Sequence, residues 1–461
     1  MKNDLKNNLK IFTIGTYLSK FIMFILLPYL TTTYSVKEYG EIDFLQTTIN
    51  ILFPVISLAI VEAIIRFGLN SQEEKKVVMN TSLAFAFITN IIIFFIISLF
   101  CYLKYDYIYI IAGIFIGTQL LRETLKQISR VYNKIIIFML SDFIYVIVFV
   151  ISLYLLNLIK VDVNNYFLSM ICGFLVDSFF IIIFSKLFKQ ISFTSINILY
   201  FKKMIMYSIP LVPNTIFMWV ILFSNRYIIL HFAGLTALGL FSVAIKFNVI
   251  LNQLSQIFYK AWQMIVYDKY IEQDFWYIKN IYQKYESVMM VLVSTMIIFI
   301  PFIFPLLVGE EYIVAKVFIP GLLLSAFFSS LALFFETIYQ ARFDSSKLLI
   351  STLISGIANI ILNITLIPFF SIHGAVIAIV FSFLLSYYIR FLYTKKILKL
   401  ENNYISNISK ALLVFLVILM QFDISNLLSI GIYIIILSLN WNIFKSIFNK
   451  GGIYENSNIN K

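Results

Sequence analysis

The sequence predicts an all-α, polytopic integral membrane protein with about fourteen transmembrane helices. Three observations carry this. Hydrophobic residues make up 61% of the 461 residues and charged ones only 13%, which would leave a soluble chain with far too much apolar surface. The apolar residues fall into long runs, about 20 residues each, that match a hydrocarbon core roughly 30 Å thick and pair their backbone groups internally as helices. Lys and Arg gather on alternate connections between the runs.

The spans lie near 11–30, 43–66, 77–102, 107–121, 136–157, 166–185, 205–230, 235–257, 287–308, 317–340, 348–370, 372–393, 408–422 and 426–444. The first lacks an Ala-x-Ala cleavage pattern and is read as a retained helix. The fourth holds Gly113 and Gly117, a GxxxG that favours close helix packing. In the seventh, Pro210 and Pro213 remove two backbone donors, so that helix is expected to bend. The connection 258–286 mixes aromatic residues with Lys and Glu; it is either a surface-lying helix or an extension of its neighbours. Cys101 and Cys172 stand far apart, so neither a disulfide nor a cysteine metal site is expected.

Counted with the helix ends that flank them, the connections on the N-terminal side carry 27 of the 35 Lys and Arg residues. The opposite side carries Lys37, Lys104, Lys160 and Lys316. Basic residues concentrate in cytoplasmic loops, so both termini are expected in the cytoplasm. The formal net charge of +12 then faces anionic lipid and is no sign of nucleic-acid binding.

Residues 13–67 and 212–266 share an architecture at an offset of 199: a proline-bearing helix, a short turn, then Gly40 or Gly239 entering the next helix. Six spans separate the copies, which gives them the same orientation and predicts parallel repeats. The expected domains are an N-lobe over 1–200, a C-lobe over 201–400, and two further spans with a tail over 401–461.

Apart from the helix ends counted with the connections, four cations fall inside the spans: Lys20, Arg66, Arg226 and Lys246. Lys20 and Lys246 are near mid-span, where insertion costs about 2.5–3.5 kcal/mol unless water or an acid meets the ammonium. Arg226 lies close enough to a span end to snorkel as well as to face a cavity. Arg66 follows Glu62 by four residues, a spacing that permits an ion pair on one helix face. Asp177 is central in its span, while Asp43, Glu62, Asp142 and Glu336 lie toward span ends. Each carboxylate could bind H⁺ or Na⁺, or serve as the fixed partner of a buried cation. No Walker A, HExxH or GxSxG string occurs, so neither a pump nor a hydrolase, nor any enzyme, is expected.

The ordered strings TIGTYLSKFIMFILLPYLTTTYSVKEYGEIDFLQTTINILFPV (13–55), EAIIRF (62–67), SIPLVPN (208–214), SNRYII (224–229), GLFSVAIKF (239–247) and FYKAW (258–262) resemble the bacterial oligosaccharide flippases. These form the polysaccharide transporter branch of the multidrug/oligosaccharidyl-lipid/polysaccharide (MOP) exporter superfamily. The resemblance implies a V-shaped, two-lobed transporter in the bacterial plasma membrane. Its implied cargo is an undecaprenyl-pyrophosphate-linked oligosaccharide, moved to the outer leaflet for surface polysaccharide assembly. No cofactor is implied beyond a coupling ion, H⁺ or Na⁺. The implied partners are membrane lipids and the pathway's polymerase and glycosyltransferases. On this reading Lys20, Lys246, Arg226 and Arg66 dock the anionic pyrophosphate, and Asp177, Glu62, Asp43 and Glu336 are candidates for ion coupling. The family often has Asp where this chain has Asn225, which removes a local acid beside Arg226. A drug or metabolite antiporter of the same superfamily, and a flippase for another lipid-linked cell-wall precursor, are the alternatives.

Overall fold

The computed structural model describes residues 21–68, 72–103, 107–192, 195–342, 344–398, 404–422 and 424–448. Among them every regular element is helical. Among the described residues nine helices are long and apolar enough to cross a membrane, or ten if one bent pair counts as a span. The chain is a multi-pass, all-α membrane protein. It divides into two compact units, Met1–Ser224 and Asn225–Lys461.

Unit one opens with α1 (Leu27–Thr33) and α2 (Val36–Ile56). A capping box starts α2: the Glu38 carboxylate accepts from the Ser35 backbone N–H at 2.9 Å, and the Glu38 N–H donates back to Ser35 Oγ. The second span is broken, not continuous. After Pro54 the chain takes positive φ at Leu58 and Ala59, 47° and 50°, and restarts as α3 (Ile60–Gly68) at 52° to α2. Left-handed backbone at two non-glycine residues is strained.

Next come α4 (Gln72–Tyr102), α5 (Tyr107–Val131), α6 (Ile135–Ile159) and α7 (Val163–Phe184). The GxxxG packs as expected: a side chain at Gly113 would strike Ile97 of α4, and Asn90 Nδ2 donates to the Gly117 carbonyl at 3.2 Å. A short connector with one 3₁₀ turn (Leu187–Lys189) leads to α8 (Ile198–Ser208). The core of the unit joins Ile60, Ile64, Val78, Leu120, Ile128, Ile181 and Met204.

Unit two begins within α9 (Leu211–Ile271) and continues through α10 (Phe275–Leu307), a 3₁₀ stretch (Glu310–Phe318), α11 (Ile319–Ala341), α12 (Ser345–Phe370), α13 (Ile372–Leu398), α14 (Tyr404–Gln421) and α15 (Asn426–Phe448). Spans seven and eight of the sequence reading fall largely on α9, in which two helices meet across a kink at Gly234. Pro210 does more than bend its helix: α8 ends before it and α9 begins after it. The connection 258–286 is helical at both ends, because α9 runs to Ile271 and α10 starts at Phe275, capped by Asp274. Buried on nearly every face, α11 is the axis of unit two. Its Phe334 stacks on Trp262 and Tyr285, with ring centroids 5.0 and 5.7 Å away.

Candidate functional site

Lys20 lies outside the described residues. Lys246 sits on the second half of α9, partly buried, and makes no ion pair among the described residues. Arg226, also on α9, is partly buried with its guanidinium 6.0 Å from the centroid of the Phe241 ring. Glu62 and Arg66 both sit on α3 and are both exposed; the i, i+4 ion pair that their spacing permits is absent among the described residues. Asp43 is partly buried on α2.

The two remaining acids meet cations that the sequence reading placed in connections. Asp177 on α7 is fully buried, and Arg122 Nε donates to its Oδ2 at 2.6 Å. Ser141 Oγ donates to the same oxygen at 2.7 Å, while Asp177 Oδ1 has no hydrogen-bond partner among the described residues. Arg122 also reaches Asp142 at 2.9 Å and Glu123 at 2.7 Å, with its guanidinium carbon 4.7 Å from the Tyr145 ring centroid. Lys126, one turn along α5, pairs with Asp142 at 2.5 Å. Arg122, Lys126, Glu123, Asp142 and Asp177 thus join α5, α6 and α7, two cations against three acids.

Unit two repeats the principle. Glu336 on α11 accepts from Arg390 Nη1 of α13 at 3.2 Å, and Arg390 spends its other donors on Ser351, Thr352 and the Ala332 carbonyl. Tyr259 and Gln340 complete the group around Glu336. A further pair, the buried Glu286 with the partly buried Lys410 at 2.5 Å, ties α10 to α14 beside the Tyr282 and Tyr387 hydroxyls. Buried charges keep such partners because an isolated ion in low dielectric is far costlier.

Sequence reasoning missed Arg122, Lys126, Arg390 and Lys410 because each was counted with a basic connection. The fourth span does not end at Leu121: α5 continues to Val131, and Arg122 and Lys126 share its inward face. One signal was available, since Asp142, Asp177 and Glu336 in or beside apolar runs each require a cation.

No protein-family model matches the chain, and no curated protein matches it. Solved structures do. The inward closed conformation of the lipid II flippase MurJ aligns with a TM-score of 0.68 at 14% identity, covering 95% of this chain and 98% of that one. An inward-facing multidrug resistance MATE family transporter of the MOP superfamily aligns with a TM-score of 0.59 at 14% identity, covering 85% and 97%. A MATE in complex with MaL6 gives 0.54 at 15%, covering 84% and 94%. The fold is therefore the one shared by MurJ and the MATE transporters of the MOP superfamily.

Proposed function

We propose that the protein is a flippase that moves an undecaprenyl-pyrophosphate-linked oligosaccharide from the cytoplasmic to the outer leaflet. The observation that carries the reading is Lys246: a partly buried ammonium within a membrane span, joined to no acid among the described residues. An ammonium kept at that depth needs water or an anionic ligand. A pyrophosphate supplies the anion, with Lys20, Arg226 and Arg66 as further docking groups. The likeness to MurJ over nearly the whole chain supports a lipid-linked cargo, and the family strings support an oligosaccharide. A cavity for cationic drugs would be poorly served by the same lysine.

Transport is coupled on this reading to H⁺ or Na⁺. Asp177 and Glu336 already hold Arg122 and Arg390, so the coupling role falls first to Glu62, whose exposed carboxylate is joined to no cation among the described residues. Asp43 is the next candidate.

The test is a flipping assay in cells lacking the native gene. Lys246→Ala should lower surface polymer at least about tenfold, the value of a charge-assisted hydrogen bond, with lipid-linked precursor accumulating and protein abundance unchanged. Lys246→Arg should keep part of the activity, because the charge persists while its geometry changes. Normal export by the Lys20→Ala, Lys246→Ala double variant would remove the cationic docking model.

A further inference from the structure

The connector from Lys186 to Ser208 has two faces, and neither is an ordinary solvent face. Its inner face is built into unit one. Leu187 and Met204 are buried in the core. The Ser192 N–H donates to Asn80 Oδ1 at 2.8 Å, and Asn80 Nδ2 donates to the Gln190 carbonyl at 3.3 Å. The Tyr200 hydroxyl donates to Glu74 at 2.7 Å, while Phe201 and Tyr207 pack on Phe85 and Phe67. The segment is thus a fixed platform against α4.

Its outer face carries apolar and cationic groups together. On α8, Leu199, Lys202, Lys203 and Met206 follow the i, i+3, i+4, i+7 spacing of one helix face. Leu199 is 72% and Met206 66% exposed, and Ile198 beside them is 80% exposed. Lys186 and Lys189 add two more exposed ammonium groups, with Phe188 exposed between them. None of the four lysines makes an ion pair among the described residues, and no Asp or Glu occurs anywhere from Ser178 to Tyr267. Among the described residues the acid beside the connector, Glu74, accepts from Tyr200. At eleven residues, α8 is about 16 Å long and too short to cross a membrane.

Water would be a poor environment for Ile198, Leu199 and Met206, and hydrocarbon for the lysines. The boundary between the two suits both, since lysine stems lie along apolar surface while their heads reach phosphate. We propose that this connector is a recognition platform for anionic phospholipid. Headgroup phosphates sit on Lys186, Lys189, Lys202 and Lys203, and Ile198, Leu199 and Met206 enter the acyl boundary. The leaflet is the one on the side where the basic connections gather, which is the cytoplasmic one on the charge asymmetry.

The test uses the full chain in nanodiscs and reads lipid binding, so it stands apart from any result on transport. A fluorophore is placed on Ile196→Cys after Cys101→Ser and Cys172→Ser, and quenching by brominated phosphatidylglycerol is compared with quenching by brominated phosphatidylcholine. Phosphatidylglycerol should quench at the lower mole fraction. Each lysine contributes about fivefold to that preference, so K202Q/K203Q should reduce it by up to about 25-fold. L199S/M206S should weaken quenching by both lipids alike. Equal quenching by the two lipids, a preference untouched by K202Q/K203Q, or no quenching by either lipid would each overturn the assignment.

Discussion

Arg122 holds three carboxylates, and its loss is the most informative perturbation of unit one. In Arg122→Leu, Asp142 keeps Lys126 and the partly exposed Glu123 can turn to solvent. Asp177 has no such recourse: it is fully buried, and among the described residues its Oδ1 is already without a partner and only the Ser141 hydroxyl at 2.7 Å remains. Stranding a buried charge in this way costs about 3–5 kcal/mol. For a cooperative unit of this size each kcal/mol lowers Tm by about 2–4 °C, so the variant should melt about 6–20 °C lower. Thermal unfolding of the purified protein in detergent, followed by far-ultraviolet circular dichroism, measures the shift. The double variant Arg122→Leu, Asp177→Leu should regain most of the loss, since no unpaired charge is left behind. A double variant no more stable than Arg122→Leu alone would refute the argument that the stranded Asp177 sets the cost.

Orientation can be read from single cysteines in a background without native ones: Lys160→Cys and Glu311→Cys should react with an impermeant thiol reagent added outside, and Glu272→Cys should not. The opposite pattern would reverse the topology. Lys410→Met should loosen α14 from α10, since Glu286 is then left buried beside Ser406 and the Tyr282 hydroxyl; limited proteolysis between α13 and α14 should become faster, and Glu286→Gln in the same chain should slow it again.

Hydropathy made the spans legible, because twenty apolar residues in a row have few alternatives to a membrane helix. The charged clusters were legible only in half. Asp177 stood out as a central carboxylate, but Arg122 looked like the first residue of a basic connection. The reason is physical: a helix is satisfied by its own backbone whether it ends at Leu121 or at Val131, and the inward turn of Arg122 depends on acids of two other helices. Local pattern records where a helix can sit, and pairing across helices is settled by packing. The same limit hid Arg390 behind the Lys395–Lys396 pair. The break at Leu58 and Ala59 had only Pro54 to announce it, and neither residue type is one that turns usually select.

Gly234 joins the two halves of α9 with φ 80° and ψ −179°, a backbone region that essentially only glycine occupies. Yet a methyl group built on it would meet nothing within 4 Å. The position is thus governed by torsion alone, with room to spare around it. Intolerance of L-alanine there follows handedness and not size, because its methyl would meet nothing and only the torsion opposes it. In most tight helical corners the two causes are tangled together. Here they come apart at a single α-carbon, where mirror image, not bulk, decides how two membrane spans are joined.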